Sequence, residues 1–289
     1  MILPHPIVHH PFAYKFGSFG FTGFGLAILL CFLVGQVVAQ RELVRRGYDP
    51  DPVNDMVFAA VVGGLLGAKL YYVVVLGHWN ALLERGGFVF WGGFFGGMIA
   101  VLFVAWRKKF PLMRIFDVGA PACAAAYAVG RTGCWAVGDD YGRPWNGFLA
   151  VSFPDGAPPS TAGIMAQEFG IQIPSGASSS TVLSVFPTQL YEVALGFVMF
   201  LVLWRMRDHK HAEGWLFGVY AVMAGVERFI IEFFRAKDDR FLVGGLTYAQ
   251  LIALAFVAFG VMWMMWRSKP GVGKPGIYPP VEDASPSPA

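Results

Sequence analysis

The chain has 289 residues, of which 56% are hydrophobic and only 14% are charged. Soluble globular proteins carry about 25% charged residues, so this composition excludes an ordinary soluble domain and indicates a protein that crosses a membrane several times. The net charge of +3 is too small to suggest a nucleic-acid-binding surface. Three cysteines lie in or beside apolar segments without C-x-x-C spacing, which argues against a zinc site and a disulfide framework: Cys31, Cys123 and Cys134.

Seven apolar segments are long enough to cross a bilayer, which takes about 20 residues of helix. We therefore predict an all-α polytopic membrane protein with seven transmembrane helices. The fourth segment is the least apolar, because it is rich in alanine. The predicted spans are residues 18–40, 54–76, 88–106, 115–134, 187–204, 214–234 and 246–266.

The loops between these segments predict the orientation. Lysine and arginine concentrate after the first, third, fifth and seventh segments. Cytoplasmic loops carry an excess of basic residues, so we predict an N-terminus outside and a C-terminus in the cytoplasm. Residues 129–143 would then face outward. The basic residues on that outer side include Lys15, Arg85, Arg143, Lys237 and Arg240.

Two parts of the chain lie outside the predicted spans. Residues 140–186 form a long connection rich in proline, which predicts a small extracytoplasmic head between helices 4 and 5. Residues 268–289 are rich in proline, glycine and serine, which predicts a disordered cytoplasmic tail. Residues 1–267 would form one transmembrane domain that includes the head.

Glycines recur at four-residue spacing in the second and third segments. The pairs are Gly63 with Gly67, Gly92 with Gly96, and Gly93 with Gly97. Small residues at this spacing let two helices pack closely, which is the simpler interpretation. Gly92 and Gly93 could at the same time line a slot for a lipid.

Charged residues inside apolar segments are the strongest functional signal. Arg131 ends the fourth segment, and an arginine there is costly unless it is paired or reaches water. In the sixth segment Arg228, Glu232 and Arg235 are spaced i, i+4 and i+7, so a helix would place them on one face. They could neutralise each other, or the arginines could join Arg131 in an anion site. Arginine suits a phosphate because its planar fork donates two hydrogen bonds and keeps its charge.

Other reactive groups give weaker signals. Cys134 lies three residues after Arg131, and a nearby cation favours a nucleophilic thiolate. A small apolar filler is the simpler interpretation of this cysteine. His9 and His10 could bind a metal, but nothing else in the sequence supports such a site. No histidine lies inside a predicted span, so no intramembrane histidine base is available.

Six sequence blocks resemble one family of bacterial membrane enzymes, the prolipoprotein diacylglyceryl transferases. Residues 130–142 are similar to the family's Gly-Arg-x-Gly-Asn-Phe-x-Asn-x-Glu-x-x-Gly signature. Residues 228–235 match its Arg-Phe-x-x-Glu-Phe-Phe-Arg block. The other similar blocks are residues 67–72, 90–97, 186–192 and 246–251, so the resemblance covers most of residues 18–266.

The resemblance implies a fold, an activity and a location. Family members are seven-helix proteins of the bacterial inner membrane, with an outer N-terminus and a periplasmic head between helices 4 and 5. They transfer the diacylglyceryl group of phosphatidylglycerol to the thiol of the lipobox cysteine in a prelipoprotein. They release glycerol 1-phosphate and need no cofactor. We therefore expect a multi-pass inner-membrane transferase that is a monomer and binds no metal.

The resemblance also implies roles for individual residues. Arg131 and Arg228 would hold the lipid phosphate and stabilise charge on the leaving phosphate. Asp139 would accept the thiol proton, with Asp140 and Glu232 as alternatives. The other residues expected at the substrate site are Arg235, Gly92, Gly93, Gly133, Gly142, Gln189, Tyr191, Glu192 and Glu232.

The chain departs from the family pattern where the family carries polar groups. Phe24 replaces a tyrosine, and Trp91 replaces the histidine before Gly-Gly. Cys134 and Val137 replace asparagines, and Asp139 replaces a glutamate. Phospholipid binding is therefore implied more directly than thiol alkylation. Two alternatives stay open, a paralogue that uses another phospholipid-derived group or acceptor, and a non-catalytic phospholipid-binding protein. The lack of an internal repeat disfavours a transporter.

Overall fold

The computed structural model describes residues 7–16, 19–83, 87–172, 176–236 and 245–269. Most of these residues are helical, and a few short strands lie between the helices. The helices are α1 (Gly23–Arg45), α2 (Asp51–Leu76), α3 (Phe90–Arg107), α4 (Leu112–Val137), α5 (Ala162–Phe169), α6 (Thr188–Met206), α7 (Trp215–Ile231) and α8 (Tyr248–Arg267). The strands are β1 (Ile7–Val8), β2 (Ala13–Phe16), β3 (Phe19–Thr22), β4 (Val151–Ser152) and β5 (Ser184–Val185).

Within the described ranges, six helices are long and apolar enough to cross a membrane: α1, α2, α3, α4, α6 and α8. They coincide with six of the predicted segments, so the prediction of a polytopic helical membrane protein is confirmed. The remaining segment, 214–234, corresponds to α7. This helix has 17 residues and ends at Ile231. The seventh span therefore stays a prediction.

The first predicted span was placed too early in the chain. Residues 19–22 form β3, which pairs antiparallel with β2 in a hairpin, and α1 begins only at Gly23. The hydroxyl of Thr22 accepts a hydrogen bond from the backbone N–H of Gly25 at 3.2 Å and so caps the helix. The aromatic residues before this cap are as hydrophobic as a membrane helix, so hydropathy alone does not distinguish their strand from the helix that follows.

Helix α4 is the centre of the bundle, and it packs against α1, α6 and α7. One core cluster joins Ala120 and Ala124 of α4 to Leu203 of α6 and Leu216 of α7, all almost fully buried. Small side chains let the neighbouring helices approach closely. The low hydropathy of this segment follows from its position, because α4 faces protein on several sides rather than lipid.

The glycines of α2 and α3 form a helix–helix contact, as the simpler interpretation predicted. An ideal Cβ on Gly63 would lie 2.5 Å from the Cβ of Ala100 and 2.6 Å from the carbonyl oxygen of Gly96. Gly92 is buried, and a Cβ there would clash with the Gly67 carbonyl oxygen. A lipid slot at Gly92 and Gly93 stays a prediction, since both face the backbone of α2.

This contact predicts different effects for two neighbouring substitutions. We expect Gly63→Ala to destabilise the protein by about 1–3 kcal/mol, because the added methyl has no space between two backbones. Gly64→Ala is the matched control, since its Cβ would lie 3.6 Å from the nearest atom, the Gly93 carbonyl oxygen. Thermal unfolding in detergent measures both. Equal unfolding temperatures for the two variants would contradict the contact.

The residues between α4 and α6 fold into a small unit, here called the head, which includes a part of the N-terminus that the sequence did not indicate. Its position outside the membrane stays a prediction. Strand β1 pairs parallel with β4, and β4 pairs antiparallel with β5. Phe153, Met165 and Val185 form the core of the head and are fully buried. The predicted tail, residues 268–289, lies outside the described residues from 270 onward, as do Arg85, Lys237 and Arg240.

Candidate functional site

The last turn of α4 and the loop after it position the first part of the site. The helix continues to Val137, so Arg131 lies about 9 Å before its end rather than at the end. Gly138 adopts a left-handed conformation with φ 69°, and the N–H of Asp139 donates to the Cys134 carbonyl at 3.1 Å. Asp140 also has a positive φ, 53°, which is uncommon for a residue other than glycine. The loop therefore folds Asp140 back towards Arg131.

Two arginines and two carboxylates form one ion-pair cluster, which we call the Arg131–Arg235 cluster. The Asp140 carboxylate lies between both guanidinium groups, 2.8 Å from Nη1 of Arg131 and 2.6 Å from Nη2 of Arg235. Oε1 of Glu192 lies 3.0 Å from Nη2 of Arg131 and 3.9 Å from Nη1 of Arg235. The Glu192 side chain is fully buried, whereas the Asp140 side chain is 36% exposed. The cluster thus has a buried floor and a more open top.

Arg228 forms a different pair. It hydrogen-bonds Glu232 one turn later in the chain, and Glu232 also accepts a 3.1 Å hydrogen bond from the hydroxyl of Thr247. The expectation that Arg228, Glu232 and Arg235 share one helix face is wrong for Arg235. Helix α7 ends at Ile231, so Arg235 lies in the turn beyond it and joins Arg131 instead. One guanidinium nitrogen of Arg228, Nη1, is buried without a hydrogen-bond partner among the described residues.

Hydrogen bonds from backbone and side-chain groups hold the loop after α4, residues 138–142, against two other parts of the chain. The N–H of Gly142 donates to the Phe186 carbonyl at 2.8 Å, and Gly142 pairs with Arg235 in an isolated β-bridge. The side chain of Gln189 donates to the Asp139 carbonyl at 2.6 Å, and Gln189 is fully buried. The start of α6 and the turn after α7 therefore hold the loop that carries both aspartates.

The two adjacent aspartates have opposite electrostatic environments. Burial raises the pKa of Asp139 to about 6, and its Oδ1 atom is buried without a hydrogen-bond partner among the described residues. Burial works to raise the pKa of Asp140 as well, but Arg235 and Arg131 outweigh it and hold that pKa below its usual value. Asp140 therefore favours its ionised form, whereas Asp139, with a pKa of about 6, is able to take up a proton near neutral pH.

Cys134 lies between Arg131 and Asp139. Its sulfur is 3.5 Å from Nη1 of Arg131, and the residue is buried. The ligand atoms of Cys134, Asp139 and Asp140 lie within 4.8 Å of one another, a spacing that a metal ion could use. The two guanidinium groups already share the Asp140 carboxylate, so the charges favour ion pairing over cation binding. Burial of the thiol favours the interpretation of Cys134 as a filler.

The remaining predicted residues serve mainly in packing. A Cβ on Gly133 would lie 2.8 Å from the Cβ of Ala27, so Gly133 lets α1 approach α4. The ring of Tyr191 contacts Phe234 edge-on at 6.0 Å between centroids. The ring of His9 contacts that of Trp135 at a tilt, with 4.5 Å between centroids, whereas His10 pairs with Asp155 at 2.8 Å. These separate partners do not favour a shared metal site.

Tyr127 and Glu227 form a hydrogen-bonded pair next to the Arg131–Arg235 cluster, and neither residue belongs to the predicted site. The hydroxyl of Tyr127 donates to Glu227 at 2.8 Å, and Glu227 is 7% exposed. The guanidinium carbon of Arg131 lies 5.4 Å from the centroid of the Tyr127 ring. Glu227 is a charged residue inside an apolar segment, and the sequence does not reveal its partner. The pair extends the polar network from the outer cluster into the bundle.

Comparison with known proteins gives the same family as the sequence blocks. The sequence model of the family described as prolipoprotein diacylglyceryl transferase matches residues 11–266. Among curated relatives, proteins named phosphatidylglycerol–prolipoprotein diacylglyceryl transferase are similar to this chain. The protein from Paraburkholderia phymatum is 31% identical, with 89% of this chain and 92% of the relative covered.

Two further relatives of that name agree. The protein from Burkholderia mallei is 30% identical, with coverage of 90% of this chain and 95% of its own length. The protein from Clostridium tetani is 28% identical, with 83% and 90% covered. Since the family model spans most of the chain and relatives are aligned over nearly their full length, the chain belongs to the prolipoprotein diacylglyceryl transferase family.

Proposed function

We propose that this protein transfers the diacylglyceryl group of phosphatidylglycerol to the thiol of the lipobox cysteine in a prelipoprotein. In this reaction a bond forms between the sulfur and the glyceryl carbon. The bond between that carbon and the phosphate oxygen breaks, and glycerol 1-phosphate leaves with the electron pair. The thiol proton must pass to a base. The observation that carries the proposal is the convergence of Arg131 and Arg235 on one partly exposed carboxylate.

The Asp140 carboxylate occupies the place that suits a lipid phosphate. It offers two oxygens to two guanidinium groups, and a phosphate offers the same arrangement of acceptors. A phosphate at the open top of the cluster would stay bound to Arg131 and Arg235 while Glu192 keeps both side chains oriented from below. Charge that develops on the leaving phosphate would be stabilised by these fixed donors. Arg228 adds a guanidinium nitrogen that has no hydrogen-bond partner among the described residues.

Asp139 is the base that we propose for the thiol proton. An ordinary carboxylate is a weak base for a thiol, whose pKa is about 8.5. Burial raises the pKa of Asp139 and so reduces the difference between the pKa of the base and that of the thiol. Asp140 and Glu232 are weaker candidates. Both are engaged in ion pairs, Asp140 with Arg131 and Arg235, and Glu232 with Arg228.

The pKa of Asp139 predicts the pH dependence of transfer. A base with a pKa of about 6 loses its ionised form as the pH falls below that value, so kcat/KM should fall about tenfold per pH unit there. Above about pH 7 it should level off. Asp139→Asn should lower kcat by about 10²–10⁴ and remove this acidic limb. The matched control is Asp155→Asn, which alters an exposed aspartate of the head. An unchanged acidic limb in Asp139→Asn would exclude Asp139 as the base.

We also propose that the chain is a monomer in the bacterial inner membrane, with seven spans and an outer N-terminus. Basic residues in the last turns of four helices support this orientation, because all four turns lie on one side if α7 also spans: Arg45 of α1, Arg107 of α3, Arg205 of α6 and Arg267 of α8. The site at the end of α4 would then face the periplasm, where prelipoproteins emerge.

Complementation in a bacterium tests the proposed function. We expect the gene to support growth and lipoprotein modification in a strain depleted of its own diacylglyceryl transferase. A folded, membrane-inserted protein that leaves prelipoproteins unmodified would contradict the proposal.

Trp91 favours a second candidate, a paralogue that uses another acceptor or another group of the phospholipid. It stands where the family pattern has a histidine, and it belongs to an exposed aromatic group with Phe90, Phe94 and Phe95 at the start of α3. Such a surface would suit a different acceptor. Lipid analysis of a deletion strain separates the two functions, because loss of a lipid product other than lipoproteins would support the paralogue.

If Arg131→Gln changes no product in vivo, a non-catalytic lipid-binding role remains.

A further inference from the structure

A second, apolar site lies in the half of the bundle opposite the Arg131–Arg235 cluster. A groove of about 290 Å³ runs between α1, α2, α3 and α4. Small residues make room for it among larger apolar side chains, and they include Gly35, Ala39, Gly119 and Ala122. An apolar cavity of this kind does not hold ordered water, so its natural occupant is an apolar group.

The length of the groove matches one lipid leaflet. On α4 its lining extends from Ile115 to Ala126, which corresponds to about 16 Å along the helix. The hydrocarbon core of a bilayer is about 30 Å thick, so one leaflet contributes about half of that length. An acyl chain lying along α4 would therefore fill the groove within a single leaflet.

A second cavity, with a basic rim, adjoins the groove at the C-terminal end of α3. It measures about 750 Å³ and shares Phe110 with the groove. Trp106, Arg107 and Lys109 line it, and Trp106 is 71% exposed. Tryptophan is enriched at the level of lipid headgroups, and arginine and lysine attract anionic lipids there.

The local backbone turns the basic residues towards this cavity. Lys109 has a positive φ of 53°, and the N–H of Phe110 donates back to the Ala105 carbonyl at 2.9 Å. This turn folds Phe110 over the last turn of α3, at the junction of the two cavities. The neighbouring cation Lys108 is bound to Asp55, whereas Arg107 and Lys109 have no ion-pair partner in the part of the chain that the structure describes.

We propose that the groove and the adjoining cavity together bind one anionic phospholipid, with an acyl chain in the groove and the phosphate at Arg107 and Lys109. The lipid comes from the leaflet on this side of the membrane. The proposed phosphate position is separate from the proposed transfer site, because Ile115, at the basic end of the groove, and Arg131 are about 24 Å apart along α4. The apolar end of the groove, at Ala126, lies about 7.5 Å from Arg131 along the same helix. The proposal does not depend on the transferase activity, and either one can fail alone.

Native mass spectrometry of the full chain tests this site. The protein is released from nanodiscs of phosphatidylserine and phosphatidylcholine, two lipids that are not the proposed substrate. We expect the wild-type protein to retain one phosphatidylserine. Arg107→Gln with Lys109→Gln should weaken retention about 25-fold, from about 5-fold per cation. Lys108→Gln is the matched control and should retain the lipid, since Lys108 already pairs with Asp55. Equal losses in the control and the double variant would overturn the proposal.

The groove is tested by filling it. Gly119 lines it, and a Cβ added there meets no atom within 4 Å. Gly119→Leu should therefore fold and abolish lipid retention, whereas Gly119→Ala should retain most of it. Retention that is unchanged in folded Gly119→Leu would overturn the proposal.

Photolabelling of the wild-type protein gives an answer that needs no variant. Phosphatidylserine with a photoreactive acyl chain should label the stretch from Ile115 to Ala126. Labelling confined to outward-facing residues of α2 such as Val74, which is 76% exposed, would overturn the proposal.

Discussion

Replacing Arg131 by glutamine should destabilise the protein by about 3–5 kcal/mol and abolish transfer, whereas adding Glu192→Gln should restore stability but not activity. The Glu192 side chain is fully buried, and its closest cation is Arg131 at 3.0 Å. The single substitution leaves a buried carboxylate without that partner, and Arg235 is 3.9 Å away. Removing both partners of a buried pair is close to neutral, because no uncompensated charge remains.

Thermal unfolding in detergent and a transfer assay on the same samples separate the two effects. The double variant is the control for folding, since it lacks the arginine but keeps a stable bundle. If Arg131→Gln alone unfolds at the wild-type temperature, the buried ion pair is not a structural element. If the double variant retains wild-type transfer, Arg131 does not bind the phosphate.

Gly142→Ala should lower transfer at least about 10²-fold, although the substitution adds only one methyl group. A Cβ at this position would lie 2.5 Å from the Phe234 carbonyl oxygen and 2.6 Å from the Phe186 Cβ. Because of these short distances, the loop after α4 (residues 138–142) and the turn after α7 cannot both keep their positions. Because Arg235 follows Phe234 directly, its guanidinium group would move away from Arg131 and Asp140.

Gly130→Ala is the matched control, in the same signature. Its Cβ would meet only the Cys31 Cβ, at 3.8 Å, which is an ordinary contact. We expect wild-type transfer for this variant. Turnover assays at saturating lipid measure both variants. Full activity of Gly142→Ala would show that the backbone bridge between Gly142 and Arg235 does not position the site.

The helices were predictable from sequence because long apolar runs have few alternatives in a membrane. Their boundaries and partners were less predictable. Strand β3, the second strand of the hairpin before α1, consists of residues that hydropathy assigns to a helix. Only its pairing with β2 and the cap at Thr22 show that the helix begins later. The weak apolar signal of α4 was also ambiguous. A helix at the centre of a bundle and a helix that is barely apolar enough to cross a membrane have similar compositions.

The sequence predicted candidate binding residues better than it predicted how they are arranged. The sequence pointed to Arg131, Glu192 and Arg235 as binding residues, and the structure brings them together. It gave no sign that Asp140 bridges the arginines, because that contact depends on the left-handed backbone at residue 140. It also grouped Arg235 with Arg228 by helical spacing, which fails because the helix ends at Ile231.

Mass spectrometry of a lipobox peptide tests the central claim most directly. Purified protein is incubated with phosphatidylglycerol and the peptide. We predict that the peptide gains one diacylglyceryl group on its cysteine, that an equal amount of glycerol 1-phosphate appears, and that a peptide with serine instead of cysteine stays unmodified. The folded Arg131→Gln/Glu192→Gln variant should give no product. An unmodified cysteine peptide with folded wild-type protein, or equal product from the double variant, would contradict the account.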